Sequence, residues 1–443
     1  MTARSRLFLS FVLALSFMQL SSASAQNAPA PGQQPATAMP SVIKVPAEAQ
    51  ASPHFDAEAA TNAYLAEMPA EARAKADAYF EGGYWLLLWD FLYVVVVSLI
   101  LLKLPLSVKM RDWSERVTRF KPVHTFVYWA QYLVLTTILY FPITVYEEFT
   151  REWKYGLATQ TFGDWMGDQV KGLAVGLVLG GILVVSLVGV VRKAPRTWWI
   201  WGAGVMTLFF AVTALIAPIF IFPIFNKVSK LDDPKVTQPI LSMARANGIP
   251  ARDVYQIDAS RQTTRMSANV SGFGSTMRIT MNDNLLKRGS PEEIQSIMGH
   301  EMGHYVLNHV YKGTVFFGIM FFCGFGLLYV SLNYSLARWG EKWQIRGIGD
   351  TAILPLVVLW GSVFIFVLTP VQNSFIRIQE HEADIFGLNA SAQPDGFAQG
   401  AIHLGEYRKM SPGPVEEWIF FDHPSGRNRI HDAMQWKAEH LKP

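Results

Sequence analysis

Ile294-Gln295-Ser296-Ile297-Met298-Gly299-His300-Glu301-Met302-Gly303-His304 is the stretch on which the reading of this chain turns. It contains H-E-x-x-H and follows Ser290-Pro291-Glu292-Glu293. Ser at the N-cap, Pro at the first helical position and Glu three residues after the cap together signal a helix start, so the motif is expected on a helix. Residues four apart share a helical face, which lets His300 and His304 grip one ion. Zinc takes imidazole nitrogen readily and favours four-coordinate sites. Glu301, one residue round from His300, can reach a water on the open side of the metal and take its proton.

Two histidines do not complete a catalytic zinc site, which usually has three protein ligands and a water. Ile378-Gln379-Glu380-His381-Glu382-Ala383-Asp384-Ile385-Phe386-Gly387 offers the third. Glu380 and Asp384 are four apart, so one can bind metal while the other holds a ligand imidazole in its working tautomer. The residues alone do not rank Glu380, His381, Glu382 and Asp384, and a solvated acidic helix face is the plainer reading. A single cysteine, Cys323, excludes intramolecular disulfides and cysteine-based zinc clusters. Its apolar surroundings read it as a small buried packing residue.

Apolar residues make up 51% of the 443 and charged residues 16%, well below the roughly one quarter usual in soluble proteins. The net charge of +3 gives no footprint for nucleic acid. Six apolar stretches approach the roughly 20 residues needed to cross a bilayer: 85–102, 127–145, 173–191, 198–225, 315–336 and 353–371. Asp90 lies within the first, where it either lines an internal cavity or reaches the interface. Residues 1–25 read as a signal peptide, with Arg4 and Arg6, an apolar run and an Ala23-Ser24-Ala25 cleavage site. Residues 26–56 read as a flexible linker and Ala57–Phe80 as a surface helix. Val254–Ile257 and Met277–Met281 look like short strands. Four spans fall in 57–225. Residues 226–443 hold two more together with the soluble segments that carry the metal motifs.

With these motifs in view the chain resembles the type I CAAX prenyl proteases, membrane zinc proteases of the gluzincin type, and more distantly the heat-shock protease HtpX. The likeness runs from about residue 60. It includes Tyr79-Phe80-Glu81-Gly82-Gly83-Tyr84-Trp85, the H-E-x-x-H helix, E-x-x-A-D at Glu380 to Asp384, and H-P-x-x-x-x-R at His423 to Arg429. The resemblance implies that Glu380 is the third ligand, that Asp384 supports a ligand imidazole, and that His423, with Arg429, stabilises the oxyanion. Without it, His423 reads as a turn residue before proline. It also implies an edge strand at Ser267-Ala268-Asn269 that pairs with the backbone of an extended substrate, although Ser267 stands where the family usually has Asn.

Sidedness draws two answers. Lys103, Lys109, Arg111, Arg116, Arg119 and Lys121 fill one loop, Arg192, Lys193 and Arg196 a second, and Arg338, Lys342 and Arg346 a third. Basic loops stay in the cytoplasm, which sends the catalytic segment to a periplasmic face of a bacterial inner membrane. The resemblance implies a cytosolic catalytic face. The expectation is a polytopic α-helical membrane protein of about six spans plus a signal segment, with a small α+β zinc metalloprotease domain. It is expected to hold one Zn2+ and to cleave peptide or membrane-protein substrates at the lipid bilayer. A non-catalytic zinc-dependent membrane chaperone or receptor would keep the ligands but has no need of Glu301. A transporter is supported only by the spans and Asp90.

Overall fold

A computed structural model describes residues 42–272 and 277–440. The signal-like residues 1–25 and the linker up to residue 41 lie outside that range. Among the described residues, six helices are long and apolar enough to cross a membrane: Ala70–Lys103, Lys121–Lys154, Phe162–Lys193, Trp198–Phe225, His309–Trp339 and Thr351–Ser391. Each covers one of the expected stretches, and all but Trp198–Phe225, which coincides with its stretch, run beyond it. The chain is an integral membrane protein. Its long helices present Trp85, Val178, Ile182, Leu208, Ile319 and Val367 outward, surfaces that suit lipid rather than water.

In chain order the helices are α1 (Ala57–Ala66), α2 (Ala70–Lys103), α3 (Leu106–Val117), α4 (Lys121–Val145), α5 (Phe162–Lys193), α6 (Trp198–Ile216), α7 (Pro234–Ala246), α8 (Asp283–Arg288), α9 (Pro291–Val306), α10 (His309–Trp339), α11 (Leu354–Ser391), α12 (Pro394–Leu404), α13 (Pro414–Phe420) and α14 (Gly426–His440). After α4 the chain passes through a π-turn, Tyr146–Thr150, before the short helix Arg151–Lys154. The strands are β1 (Val228–Lys230), β2 (Val254–Ile257), β3 (Ala268–Ser271) and β4 (Arg278–Asn282). They form one sheet in the order β1-β2-β4-β3, with β2 and β4 parallel and the other pairs antiparallel. β3 therefore forms an edge. Met277, Ile279, Met281, Val254, Ile240, Ile294, Met298 and Met302 pack one buried core between the sheet, α7 and α9.

Three expectations are corrected. The surface helix expected over Ala57–Phe80 is split near Pro69, and it is not a surface element. Tyr64 and Met68 pack with Phe397, Ile402, Ile430 and Met434 from the far end of the chain. Tyr64 donates to Asp395 at 2.7 Å. The linker is docked where it is described, since Ile43 and Ala49 belong to the same core. Cys323 is exposed on α10 rather than buried; in a lipid-facing helix an outward residue has the same apolar neighbours in sequence as an inward one.

The sixth span and the acidic motif are one helix. α11 has 38 residues, about 57 Å at 1.5 Å per residue. That is far longer than the roughly 30 Å hydrocarbon core. Its second half carries Glu380, Glu382 and Asp384 out of the apolar stretch to meet α9.

Candidate metal centre and active site

α9 begins as its sequence predicts. Ser290 accepts from the Glu293 N–H at 3.2 Å, and the Glu293 carboxylate accepts from the Ser290 N–H at 2.7 Å. Glycine sets how closely α11 approaches. A Cβ at Gly387 would stand 2.7 Å from the His300 nitrogen, and one at Gly299 would stand 2.9 Å from the Gly387 carbonyl oxygen. Real side chains do not tolerate such contacts. The pair of bare backbones brings Glu380 to the two imidazoles.

His300, His304 and Glu380 each aim a donor atom at one point, all within 4.8 Å of one another. The two Nε2 atoms are 3.1 Å apart. Glu380 Oε2 is 3.3 Å from His300 Nε2, and Oε1 is 3.6 Å from His304 Nε2. Donors bonded at about 2.0–2.1 Å around a tetrahedral centre lie about 3.3–3.4 Å apart, so the spacing of these three side chains suits a metal of that size. Glu380 Oε2 is buried and, despite a His423 Nε2 2.9 Å away, meets the angles of a hydrogen bond with no described residue. An uncommitted buried lone pair among imidazole nitrogens suits a cation.

Behind the triangle stand the groups that orient it. His300 Nδ1 lies 2.7 Å from Asp384 Oδ1, which accepts its proton, so that in the neutral, metal-binding ring Nε2 carries the lone pair. Arg429, expected as an oxyanion donor, instead sits behind Asp384. Its Nε donates to Oδ2 at 2.8 Å and its Nη2 to Oδ1 at 2.5 Å. His304 Nδ1 lies 2.8 Å from Nδ1 of His309, whose Nε2 reaches Glu382 Oε2 at 3.0 Å. Sequence reasoning missed His309. It follows Asn308, whose positive φ of 58° turns the chain back after α9. Asn tolerates that region better than most residues, and an H-x3-N-H sequence was the available signal.

Burial opposes charging either imidazole. At His300 the Asp384 and Glu380 carboxylates outweigh it and raise the pKa to about 10. At His304 burial prevails and holds it at about 3, against the pull of Glu380. Glu301 is half-buried on α9 between the two ligand histidines. His423 Nδ1 is fixed by Asp422 Oδ1 at 2.8 Å, which turns Nε2 toward the triangle. His381 faces away, with Nδ1 3.3 Å from Asp432.

Ser267, Ala268 and Asn269 lie at and just before the start of the edge strand. The Ser267 carbonyl accepts from the Asn282 N–H at 2.9 Å, so its backbone faces β4. By the alternation of an antiparallel pair Asn269 faces β4 too, whereas Ala268 and Val270 turn their backbone groups to the outer edge. The Asn269 Oδ1 atom is buried and has no hydrogen-bond partner among the described residues.

Six membrane helices, an H-E-x-x-H helix and a carboxylate brought to it by a long second helix define a membrane-integral metalloprotease. Residues 230–437 match peptidase family M48, and residues 55–227 match the family described as CAAX prenyl protease N-terminal, five membrane helices. CAAX prenyl protease 1 of Saccharomyces cerevisiae is 31% identical over 332 residues, 70% of this chain and 71% of that protein. The Bacillus subtilis protein called uncharacterized metalloprotease YhfN is 29% identical over 347 residues, 78% of this chain and 80% of its own length. The crystal structure of Ste24p from S. mikatae shares the fold, with a TM-score of 0.70 at 19% identity, covering 83% of this chain and 89% of that one. The chain belongs to the M48 peptidases of the CAAX prenyl protease type, metal-dependent hydrolases of the membrane.

Proposed function

We propose that the protein is a zinc endopeptidase that hydrolyses peptide bonds in membrane-associated proteins, with one zinc per chain held by His300, His304 and Glu380. The observation that carries this reading is the convergence of the two Nε2 atoms, 3.1 Å apart, with the Glu380 carboxylate, whose Oε2 lies 3.3 Å from His300 and whose Oε1 lies 3.6 Å from His304. Bound there, zinc supplies Lewis acidity that lowers the pKa of a water and polarises the scissile carbonyl. Glu301 takes the water's proton and passes it to the leaving amine. His423 donates from Nε2 to the oxyanion, its ring held in place at Nδ1 by Asp422. Arg429 acts at one remove, by fixing Asp384 and through it His300. The substrate lies along β3 as an added strand, pairing with the outward backbone of Val270. Glu301 also separates this reading from a zinc-dependent chaperone, which has no work for a base beside the metal.

Relatives carry the name CAAX prenyl protease, which supports substrates cleaved near a C-terminus at the membrane. The catalytic side follows from charge. Arg111 pairs with Asp350 at 2.6 Å and Arg346 with Glu115 at 2.7 Å, gathering the first and third basic loops at one end of the spans. The positive-inside rule makes that end cytoplasmic and the metal centre periplasmic, in a bacterial inner membrane.

The test is made on protein purified in detergent. Bound zinc is measured, and cleavage of a quenched peptide library is compared with that of Glu301→Gln. Zinc retained with cleavage lost supports the reading. Equal cleavage by the variant removes Glu301 from the mechanism. Labelling of a cysteine placed near Ser290 from either side of the membrane decides the orientation.

A further inference from the structure

Among the described residues, Arg151 is a buried cation without a counter-charge. It is 3% exposed, and its Nη1 has no hydrogen-bond partner among the described residues. Among the described residues it makes no ion pair; Glu152 beside it is taken by Arg265 at 2.6 Å. Its guanidinium lies over the Tyr79 ring, 3.8 Å from the centroid, and its Nη2 donates to the Tyr79 carbonyl. An unpaired buried charge is costly, and ionisable groups in membrane proteins generally mark a functional path.

The surroundings are built as a receptacle. Arg151 follows directly on the π-turn Tyr146–Thr150, a rare backbone form that is frequent at functional sites. With Tyr79, Phe80, Gly83, Tyr84, Leu87 and Phe420 it lines a cavity of about 30 Å³. A water-sized probe needs about 10–15 Å³, so the space takes two such spheres, the size of the two oxygens of a carboxylate. Four of these walls come from Tyr79–Trp85, a sequence feature that the metal chemistry leaves without a role.

The cavity also touches both arms of the proposed active site. The Arg265 Nη2 donates to the Tyr79 hydroxyl at 2.8 Å, two residues before Ser267. The segment after Arg151 bridges to the lead-in of β3 through Ala158 and Thr263. Phe420, which also lines the cavity, stands three residues before His423, and the neighbouring Phe421 ring lies 4.6 Å from that of Phe80.

We propose that Arg151 receives a carboxylate of the substrate, so that the enzyme selects peptides whose carboxylate reaches this cavity when the chain is paired with β3. This rests on the protease reading and adds a substrate class to it. The carboxylate belongs either to the substrate's C-terminus or to an acidic side chain. A guanidinium can bind it through paired N–H donors.

The experiment uses the zinc-loaded full-length enzyme in detergent and three forms of one quenched peptide: a free C-terminal acid, the same peptide as the carboxamide, and the carboxamide with an internal Asp in place of Asn. Wild type is expected to cleave a carboxylate-bearing form about 10- to 100-fold better, through KM, as for loss of a charged hydrogen bond. Which form is preferred names the source of the carboxylate. Arg151→Gln is expected to lower that rate to the level of the plain carboxamide and to leave carboxamide turnover unchanged, while Arg151→Lys restores part of the preference. Equal wild-type rates on all three peptides would overturn the proposal without any variant being made. So would an equal loss on acid and carboxamide in folded Arg151→Gln. The protease reading fails separately, if none of the peptides is cleaved. Binding of the same peptides to zinc-loaded Glu301→Gln, followed by fluorescence anisotropy, then still reads the carboxylate preference; equal binding of all three overturns it.

Discussion

Nδ1 of His309 lies 2.8 Å from Nδ1 of His304, and this contact allows one proton arrangement if His304 is to bind metal through Nε2. A neutral His304 with a lone pair on Nε2 carries its proton on Nδ1 and donates it to His309. His309 then carries its own proton on Nε2 and donates to Glu382, which also receives Lys312 at 2.6 Å. Each ligand imidazole thus has its tautomer fixed from behind: His300 by Asp384 directly, His304 by a carboxylate acting through a second ring. Groups in that role are worth about 10- to 100-fold in metal affinity. His309→Leu is expected to weaken zinc binding by about that factor in chelator competition. His309→Gln, whose amide oxygen can still accept from His304, is expected to keep much of it. Unchanged affinity in His309→Leu would remove the ring from the site.

The glycine contact between α9 and α11 makes a sharper test of architecture than of chemistry. Gly387→Ala puts a methyl group 2.7 Å from the His300 nitrogen and is expected to destabilise by about 1–3 kcal/mol, the usual cost of overpacking, with loss of zinc binding. Gly361→Ala lies on the same helix with no atom within 4 Å of its Cβ; it is expected to leave both thermal unfolding and zinc affinity near wild type. Matching effects of the two would show that helix approach does not set the site.

At the sheet edge, proline separates the backbone role of β3 from its fold. Val270 turns its N–H away from β4, and proline is tolerated at such edge positions. Val270→Pro is therefore expected to fold and bind zinc normally, with KM for an extended peptide raised about tenfold by one lost backbone hydrogen bond. Normal KM would argue that substrate does not pair with β3.

Removal of the metal is expected to act on stability as well as on rate. His300 and His304 on α9 and Glu380 on α11 are joined through it, so zinc that binds the folded chain alone stabilises it by mass action, about 2.7 kcal/mol at a hundredfold excess over Kd. Chelation is expected to abolish cleavage and lower the thermal midpoint, and zinc to restore both. A midpoint indifferent to zinc would place the ion elsewhere or nowhere.

What could be read from the sequence was what local signals carry. Apolar length marked the spans, and the Ser290–Glu293 capping box marked α9. The third ligand was different: helical spacing left Glu380 level with its neighbours, and the family resemblance singled it out. The structure adds the reason, two glycines that let α11 carry Glu380 to α9. Features made by long-range contact were not legible. Tyr64 and Met68 looked like part of a surface helix because nothing nearby in sequence announces Ile430 or Met434. Arg429 was given to the oxyanion because a sequence does not say which carboxylate an arginine will meet. His309 escaped notice because its ring returns to His304 only through the left-handed turn at Asn308.

The central claim is that a carboxylate from the last membrane helix completes a zinc site begun by His300 and His304. Zinc titration of wild type and Glu380→Ala, with binding followed by chelator competition, tests it most directly. The account predicts one zinc per wild-type chain and an affinity lower by orders of magnitude in Glu380→Ala, with the protein still folded. Zinc bound equally tightly by the two proteins would contradict it.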